Sequence, residues 1–163
     1  MATPGTSGFP RFVVERALPD DADALTTAAH ESKQTWGYPR AWIESWHDQL
    51  TLTPEYIRRH EVYAGRVDAK LAGFYALVDH DRQWCLDHFW VRPAYLRQGV
   101  GRRLFADAVD RIRHLRPGRL VIDSDPHAEA FYLRMGCTRI GAVPANMPGV
   151  ERSLPRLEFQ VAL

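Results

Sequence analysis

The sequence predicts an α+β domain, an α/β sandwich-like fold built on a mixed, mostly antiparallel sheet of about seven strands with about four helices. Three observations carry that expectation. Residues 61–67, 70–78 and 84–91 (EVYAGRV, KLAGFYALV and WCLDHFWV) are β-prone runs separated by turn signals at Asp68 and at residues 80–82. Connections that short imply an antiparallel meander. Residues 100–115 then repeat apolar side chains at helical spacing: Val100, Leu104, Phe105, Ala108, Val109, Ile112 and Leu115 share one face, with Arg102, Arg103, Asp107, Asp110, Arg111 and Arg113 opposite. The compact apolar run RLVIDS at 119–124 follows, and a strand–helix–strand unit from Trp84 to Ser124 requires a parallel or crossover arrangement.

In chain order, residues 12–17 (FVVERA) form a first short strand. Pro19 opens a helix whose first turn carries Asp20, Asp21 and Asp23, the favourable sign at an N-terminus, and whose buried stripe is Leu25, Ala28 and Ala29 up to about Ser32. Gly37 and Pro39 break the chain between Trp36 and Tyr38, after which Trp42, Ile43, Trp46 and Leu50 recur at helical spacing. Thr53-Pro54 reads as an N-cap followed by proline at the first helical position, starting a short helix through Arg59. Beyond the meander, the long helix and RLVIDS, Pro126 begins another helix that Gly136 stops. TRIGAV and RLEFQVAL close the chain as strands, with Pro144, Pro148, Gly149 and Pro155 in the loop between them. The order is β-α-α-β-β-β-α-β-α-β-β, a single domain over residues 11–163 after a flexible N-terminal tail at 1–10 rich in Gly, Pro, Ser and Thr.

Composition narrows the function class. The chain has 163 residues, 45% hydrophobic and 25% charged, and its 21 basic against 20 acidic residues give a net charge of +1. That balance points to neither nucleic acid nor a membrane surface as partner. No apolar run approaches the roughly 20 residues that span a bilayer. The first residues lack a basic and then apolar leader, so the expected location is cytoplasmic. Cys85 and Cys137 are far apart and read as free thiols. There is no Gly-x-x-x-x-Gly-Lys-Ser/Thr for a nucleoside triphosphate, no His-Glu-x-x-His or His/Cys cluster for a metal, and no Gly-x-Ser-x-Gly for a serine hydrolase.

The chemistry concentrates in residues 86–104, LDHFWVRPAYLRQGVGRRL. A strand, a Gly-x-Gly loop and a helix in succession cradle a phosphate: glycines permit close backbone approach, and the unpaired N–H groups of the first helical turn point at the anion. Arg97, Arg102 and Arg103 add positive charge where the macrodipole is already positive, which costs the helix a little and suits a polyanion. A lone Gly-x-Gly is also an ordinary tight turn, so the loop alone is weak evidence.

Two motifs together carry a resemblance. WVRPAYLRQGVGRRL is similar to a strand–Val-x-Pro–(Gln/Arg)-x-x-Gly-x-Gly/Ala pyrophosphate loop, and DPHAEAFYLRMGC to an Asn-x-x-Ala-x-x-Phe-Tyr-x-x-x-Gly-Phe segment. In this order, one helix and one strand apart, they resemble the GNAT superfamily of acetyl-CoA-dependent N-acetyltransferases over nearly the whole chain. Two positions depart from the pattern: Leu96 stands where Gln or Arg is usual, with Arg97 or Gln98 beside it to compensate, and Asp125 stands where Asn is usual. An ionised Asp only accepts hydrogen bonds.

The resemblance implies acetyl-CoA as co-substrate and no metal. It implies that Gly99, Val100, Gly101, Arg102 and Arg103 hold the pyrophosphate with Arg97 and Gln98. Trp90 and Val91 would meet the pantetheine arm, with the Val91 N–H facing the thioester oxygen, and Asp125, Ala128 and Phe131 would complete the cofactor site. Tyr132 stands where the family's thiol-protonating Tyr stands; its other reading is an aromatic on the core edge of the helix. For the base, strand alternation puts Asp87 on the face of Cys85, Phe89 and Val91, making it the first candidate, through a water. His88 has the better solution pKa but points to the opposite face of a regular strand, an orientation that a bulge would reverse.

Trp36 and Tyr38, in the Gly/Pro-broken loop, are expected to contact the acceptor, while Trp42 and Trp46 are expected mainly to pack. Asn146, Glu151 and Arg152 in the late loop would add polar contacts. The implied reaction is acetyl transfer to a primary amine of a small molecule or peptide by direct attack. The competing reading is a non-catalytic acyl-CoA-binding regulatory module. A homodimer through an exposed C-terminal edge strand is compatible with either.

Overall fold

A computed structural model describes residues 10–163 except Asn146, so the expected tail falls outside the described residues save for Pro10. Among them, one sheet has seven strands in the order β1-β2-β3-β4-β5-β7-β6. The strands are β1 (Phe12–Arg16), β2 (Glu61–Val67), β3 (Lys70–Asp79), β4 (Gln83–Val91), β5 (Gly118–Asp123), β6 (Thr138–Pro144) and β7 (Ser153–Val161). Every neighbouring pair is antiparallel except β4 with β5, the parallel pair that the crossover requires. The mixed, mostly antiparallel sheet is therefore as expected.

Six α-helices, more than the expected four or so, flank the sheet among the described residues: α1 (Ala22–Gln34), α2 (Arg40–Ser45), α3 (His47–Leu50), α4 (Pro54–Arg59), α5 (Val100–Leu115) and α6 (Glu129–Arg134). The stretch read as one helix from Arg40 to Leu50 is divided at Trp46, whose ψ of 7° leaves the helical range. Pro19 starts a single 3₁₀ turn that runs into α1, and Thr53 caps α4 by accepting from the Tyr56 N–H. Pro155, expected in the loop, lies inside β7. Its carbonyl accepts from Ser124 N–H just past the end of β5, so its missing N–H faces the side where that strand has finished.

Each face of the sheet carries its own core. On one face α5 buries Leu104, Phe105, Ala108 and Ile112 against Tyr75, Leu77, Leu86 and Leu120. On the other, Leu25, Ala28 and Ala29 of α1, with Ile43, Trp46 and Ile57, cover Val62, Ala64, Phe74 and Ala76. Each fully buried Leu or Ile contributes about 2 kcal/mol of transfer free energy. Leu115, expected on the buried face, is exposed in the last turn of α5. Among the described residues no helix is long and apolar enough to cross a membrane.

Two irregularities of β4 shape the site. Its pairing with β5 covers only Gln83, Trp84 and Cys85, so the two strands part before β4 ends at Val91. Its pairing with β3 slips: Ala76 faces His88 while Leu77 faces Leu86, leaving Asp87 as the extra residue of a bulge.

Candidate active site

The gap between β4 and β5 opens a cleft of about 1060 Å³, walled by α1, α3, α4, the start of α5, α6 and the loop before β7. Arg92 N–H donates to Ala72 O at 2.8 Å on the β3 side. Alternation along an antiparallel strand therefore turns the Val91 N–H the other way, into the gap. The neighbouring Val91 carbonyl accepts Ser32 Oγ at 2.9 Å, which fixes this end of β4 against α1.

Below Val91 the loop turns into α5 through Gly99, whose φ of +81° is left-handed backbone that a side chain resists. No side chain caps α5 there, and its first helical bond runs from Arg103 N–H to Gly99 O, so the amides before it stay available. A Cβ on Gly101 would lie 3.3 Å from the Phe131 ring and 3.6 Å from Val91 Cγ2, so glycine keeps the helix entry close to α6 and β4. Arg97, Gly99, Gly101 and Arg102 line the cleft, as do Trp90, Val91, Asp125, Ala128 and Phe131. These residues fit a pyrophosphate: a cleft-facing backbone cradle at a helix N-terminus with two arginines beside it. The side chains of Gln98 and Arg103 have other places. Gln98 Nε2 closes the loop on Ala94 O at 3.0 Å, so it does not replace the residue missing at Leu96. The Arg103 guanidinium, a further helical step round α5, lies 5.0 Å over the Phe12 ring of β1. Val100, the first residue of α5, is buried.

Tyr132 lines the cleft from α6, with its ring against Phe89, Phe105 and Phe131 at 5.8, 6.2 and 5.3 Å. Its hydroxyl makes no hydrogen bond among the described residues. Burial, then the nearby Cys137 and Asp125 charges, push its pKa up, which keeps the proton on the oxygen.

The bulge changes the candidate bases. Phe89 and Val91 pack on the α5 side of the sheet, whereas His88 stacks on Phe74 at 5.9 Å on the α1 side. Asp87 leaves the face of Phe89 and Val91, contrary to regular alternation, and its carboxylate takes the hydroxyl of Tyr56 on α4. Its side chain is 49% exposed and lines the cleft. His88 is buried beside it. The Trp90 indole N–H donates to His88 Nδ1 at 3.0 Å, and an indole only donates, so the imidazole proton sits on Nε2, 3.9 Å from Asp87. Burial pushes the His88 pKa down against the opposing Asp87 charge. His88 thus orients the wall as a neutral ring, and Asp87 is the group with free access to the cleft.

A second cluster closes the other end of the cleft. Asp125 holds Lys33 Nζ at 2.6 Å, the Tyr38 hydroxyl at 3.0 Å and the His127 N–H at 2.9 Å. Arg152 donates to Tyr38 Oη at 2.6 Å and approaches Asp125 at 3.4 Å. Burial alone would raise the Asp125 carboxyl, but the Lys33 hydrogen bond and charge outweigh it, together with His127, and hold the pKa at about 2. Tyr38 is pushed up to about 12, by burial and by Asp125. Lys33 lies 4.3 Å over Trp46 and 5.0 Å over Tyr38. Where the resembling motif has Asn, this chain therefore has an ionised Asp with its own buried lysine. Trp36 lines the cleft, stacked on His127 at 5.0 Å, while Tyr38 stands behind the wall and acts through Asp125 and Arg152.

Lys33, Tyr56 and Trp46 were not among the expected site residues. Lys33 carried a signal: it lies four residues after Ala29 on the buried stripe of α1, where a lysine needs a partner. Asn146 lies outside the described residues, and Glu151 is exposed beside the cleft.

A family model described as an acetyltransferase (GNAT) domain matches residues 25–150. No curated protein sequence matches the chain. Among solved structures, the paia N-acetyltransferase of Thermoplasma acidophilum, in complex with coenzyme A, is 20% identical with a TM-score of 0.68 over 92% of this chain and 99% of that one. The ribosomal-protein-S18-alanine N-acetyltransferase of Escherichia coli is 16% identical with a TM-score of 0.69 over 94% and 96%. The yncA protein of Salmonella typhimurium, with its cofactor acetyl-CoA, is 16% identical with a TM-score of 0.66 over 94% and 95%. At such identities these likenesses establish the fold.

Proposed function

The chain belongs to the GNAT acetyltransferase family, and from that premise we propose that it moves an acetyl group from acetyl-CoA to a primary amine of a small molecule or peptide by direct attack. When bound, acetyl-CoA supplies an activated acetyl thioester. The first-turn amides of α5, with Arg97 and Arg102, hold its pyrophosphate. The Val91 N–H donates to the carbonyl oxygen as negative charge develops there. Asp87, directly or through a water, accepts the proton that the attacking amine gives up. Tyr132 donates its hydroxyl proton to the departing sulfur and regains one from solvent.

The observation that supports the reading best is the parting of β4 from β5, which brings the Val91 N–H, the glycine-opened start of α5, Tyr132 and Asp87 onto one cleft. Free Cys85 and Cys137 agree with a reducing, cytoplasmic setting. Thiol release from acetyl-CoA across a panel of primary amines tests the proposal. Release with at least one amine, reduced about 10²-fold in Asp87→Asn, is the expected result. Binding of acetyl-CoA with no release on any amine would instead favour a non-catalytic acyl-CoA-binding module.

A further inference from the structure

The cluster around Asp125 does not balance its own charge. Lys33, Arg152 and Asp125 have side chains only 10–12% exposed, and both cations lie within hydrogen-bonding reach of the carboxylate. Two cations share one carboxylate, which leaves one positive charge in a wall of Trp36, Trp46, Trp90 and Met147. The Lys33 pKa is lowered, first by burial and further by Arg152, against the opposing pull of Asp125. The other carboxylates of the cleft do not supply the missing charge. Asp123 is forked by Arg156 at 2.7 and 3.0 Å, Asp87 on β4 takes the hydroxyl of Tyr56 on α4, and Asp48 stands exposed on α3.

Among the described residues Arg152 is also only partly used. Its Nη2 binds Tyr38 and Asp125, while its Nε and Nη1 have no hydrogen-bond partner among the described residues and are not among the atoms closed off from solvent. Its guanidinium is braced 4.9 Å over Tyr38 and 5.1 Å over Trp46, so the unused donors are held in place. A planar guanidinium with two open donors is suited to carboxylate or phosphate oxygens.

We propose that Lys33 and Arg152 form an anion subsite, so that the amine acceptor also carries a carboxylate or phosphate group on an apolar body. The proposal rests on the transferase reading for the word acceptor; the anion subsite itself needs only the cleft. The acceptor amine then lies toward Asp87 and its anionic end toward Arg152, which gives the cleft two poles. Neutral amines and polyamines lack the anionic end.

Calorimetric titration of the full chain with amine-free probes tests this directly. 3-Phenylpropionate and 2-phenylethylphosphonate carry the anion on an aromatic body, and 3-phenylpropionamide is the neutral match. At least one anion binding about tenfold or more tighter than the amide is the expected result, and which one does so separates carboxylate from phosphate. Equal binding of amide and anions, or no anion binding at millimolar concentration, overturns the subsite. Arg152→Gln and Lys33→Gln should each remove most of the preference; the wild-type comparison decides the matter even where a variant fails to fold. Acetyl-CoA titrated into the same samples keeps the two readings apart. Acetyl-CoA binding without anion preference sinks the subsite alone, and anion preference without acetyl-CoA binding or thiol release sinks the transferase reading alone.

Discussion

Lys33 Nζ and Asp125 Oδ2 lie 2.6 Å apart although their residues are 92 positions apart in the chain. The pair ties the last turn of α1 to the segment after β5, across the mouth that the parting of β4 and β5 opens. Removing one partner of a buried pair leaves the other charge uncompensated, which costs far more than the pair itself contributes.

Asp125→Asn is therefore expected to lower stability by about 3 kcal/mol, since it strands both Lys33 and Arg152. Urea unfolding measures it, and adding Lys33→Met should restore part of the loss. The pH dependence has a defined sign. The folded carboxyl has its pKa lowered from 3.8 to about 2, so its stabilisation is present above about 4 and is lost as pH falls toward 2. The variant should lack that acid loss.

Tyr132→Phe should bind acetyl-CoA as the wild type does and turn over about 10²-fold more slowly. Its hydroxyl makes no hydrogen bond among the described residues, so the melting temperature should hardly change. Unchanged turnover across a pH series would remove Tyr132 from the chemistry.

His88 sets a second pH effect. Its folded pKa is lowered by burial below the ordinary 6.5, so above 6.5 nothing is lost, and below it the unfolded chain takes up the proton more readily. Stability then falls with acidification by up to about 1.4 kcal/mol per pH unit for each such proton. His88→Gln keeps an acceptor for the Trp90 indole and cannot titrate. Its stability should fall less steeply between pH 6.5 and 5 than that of the wild type. His30 and His60, whose pKa values are also lowered, act in both proteins and cancel. Identical slopes would contradict the assignment.

The sheet, the crossover and the glycine loop are legible in the sequence because their signals are periodic or conformational. Apolar residues alternate or recur at helical spacing, and Gly99 sits where φ must be positive. The bulge at Asp87 is not legible in that way. One extra residue leaves no mark on composition, yet it reverses which face Asp87 shares. Tyr56 sits on a six-residue helix whose spacing does not say that it faces β4. Tyr38 looks like a ligand-facing aromatic in its Gly/Pro-broken loop, but its hydroxyl turns inward because a buried carboxylate and guanidinium await it. Lys33 was the readable clue: a cation on an apolar stripe implies a buried anion, which Asp125 supplies.

Calorimetric titration of acetyl-CoA into the wild type and Gly99→Glu tests whether the start of α5 holds the pyrophosphate. The substitution strains left-handed backbone by about 1 kcal/mol, while a carboxylate at this end of α5 favours the helix, so the fold should persist. The same carboxylate would face the pyrophosphate. Micromolar binding to the wild type, weakened at least about 10²-fold in the folded variant, is the predicted result. Equal affinity in both proteins, or none in the wild type up to millimolar acetyl-CoA, would contradict it.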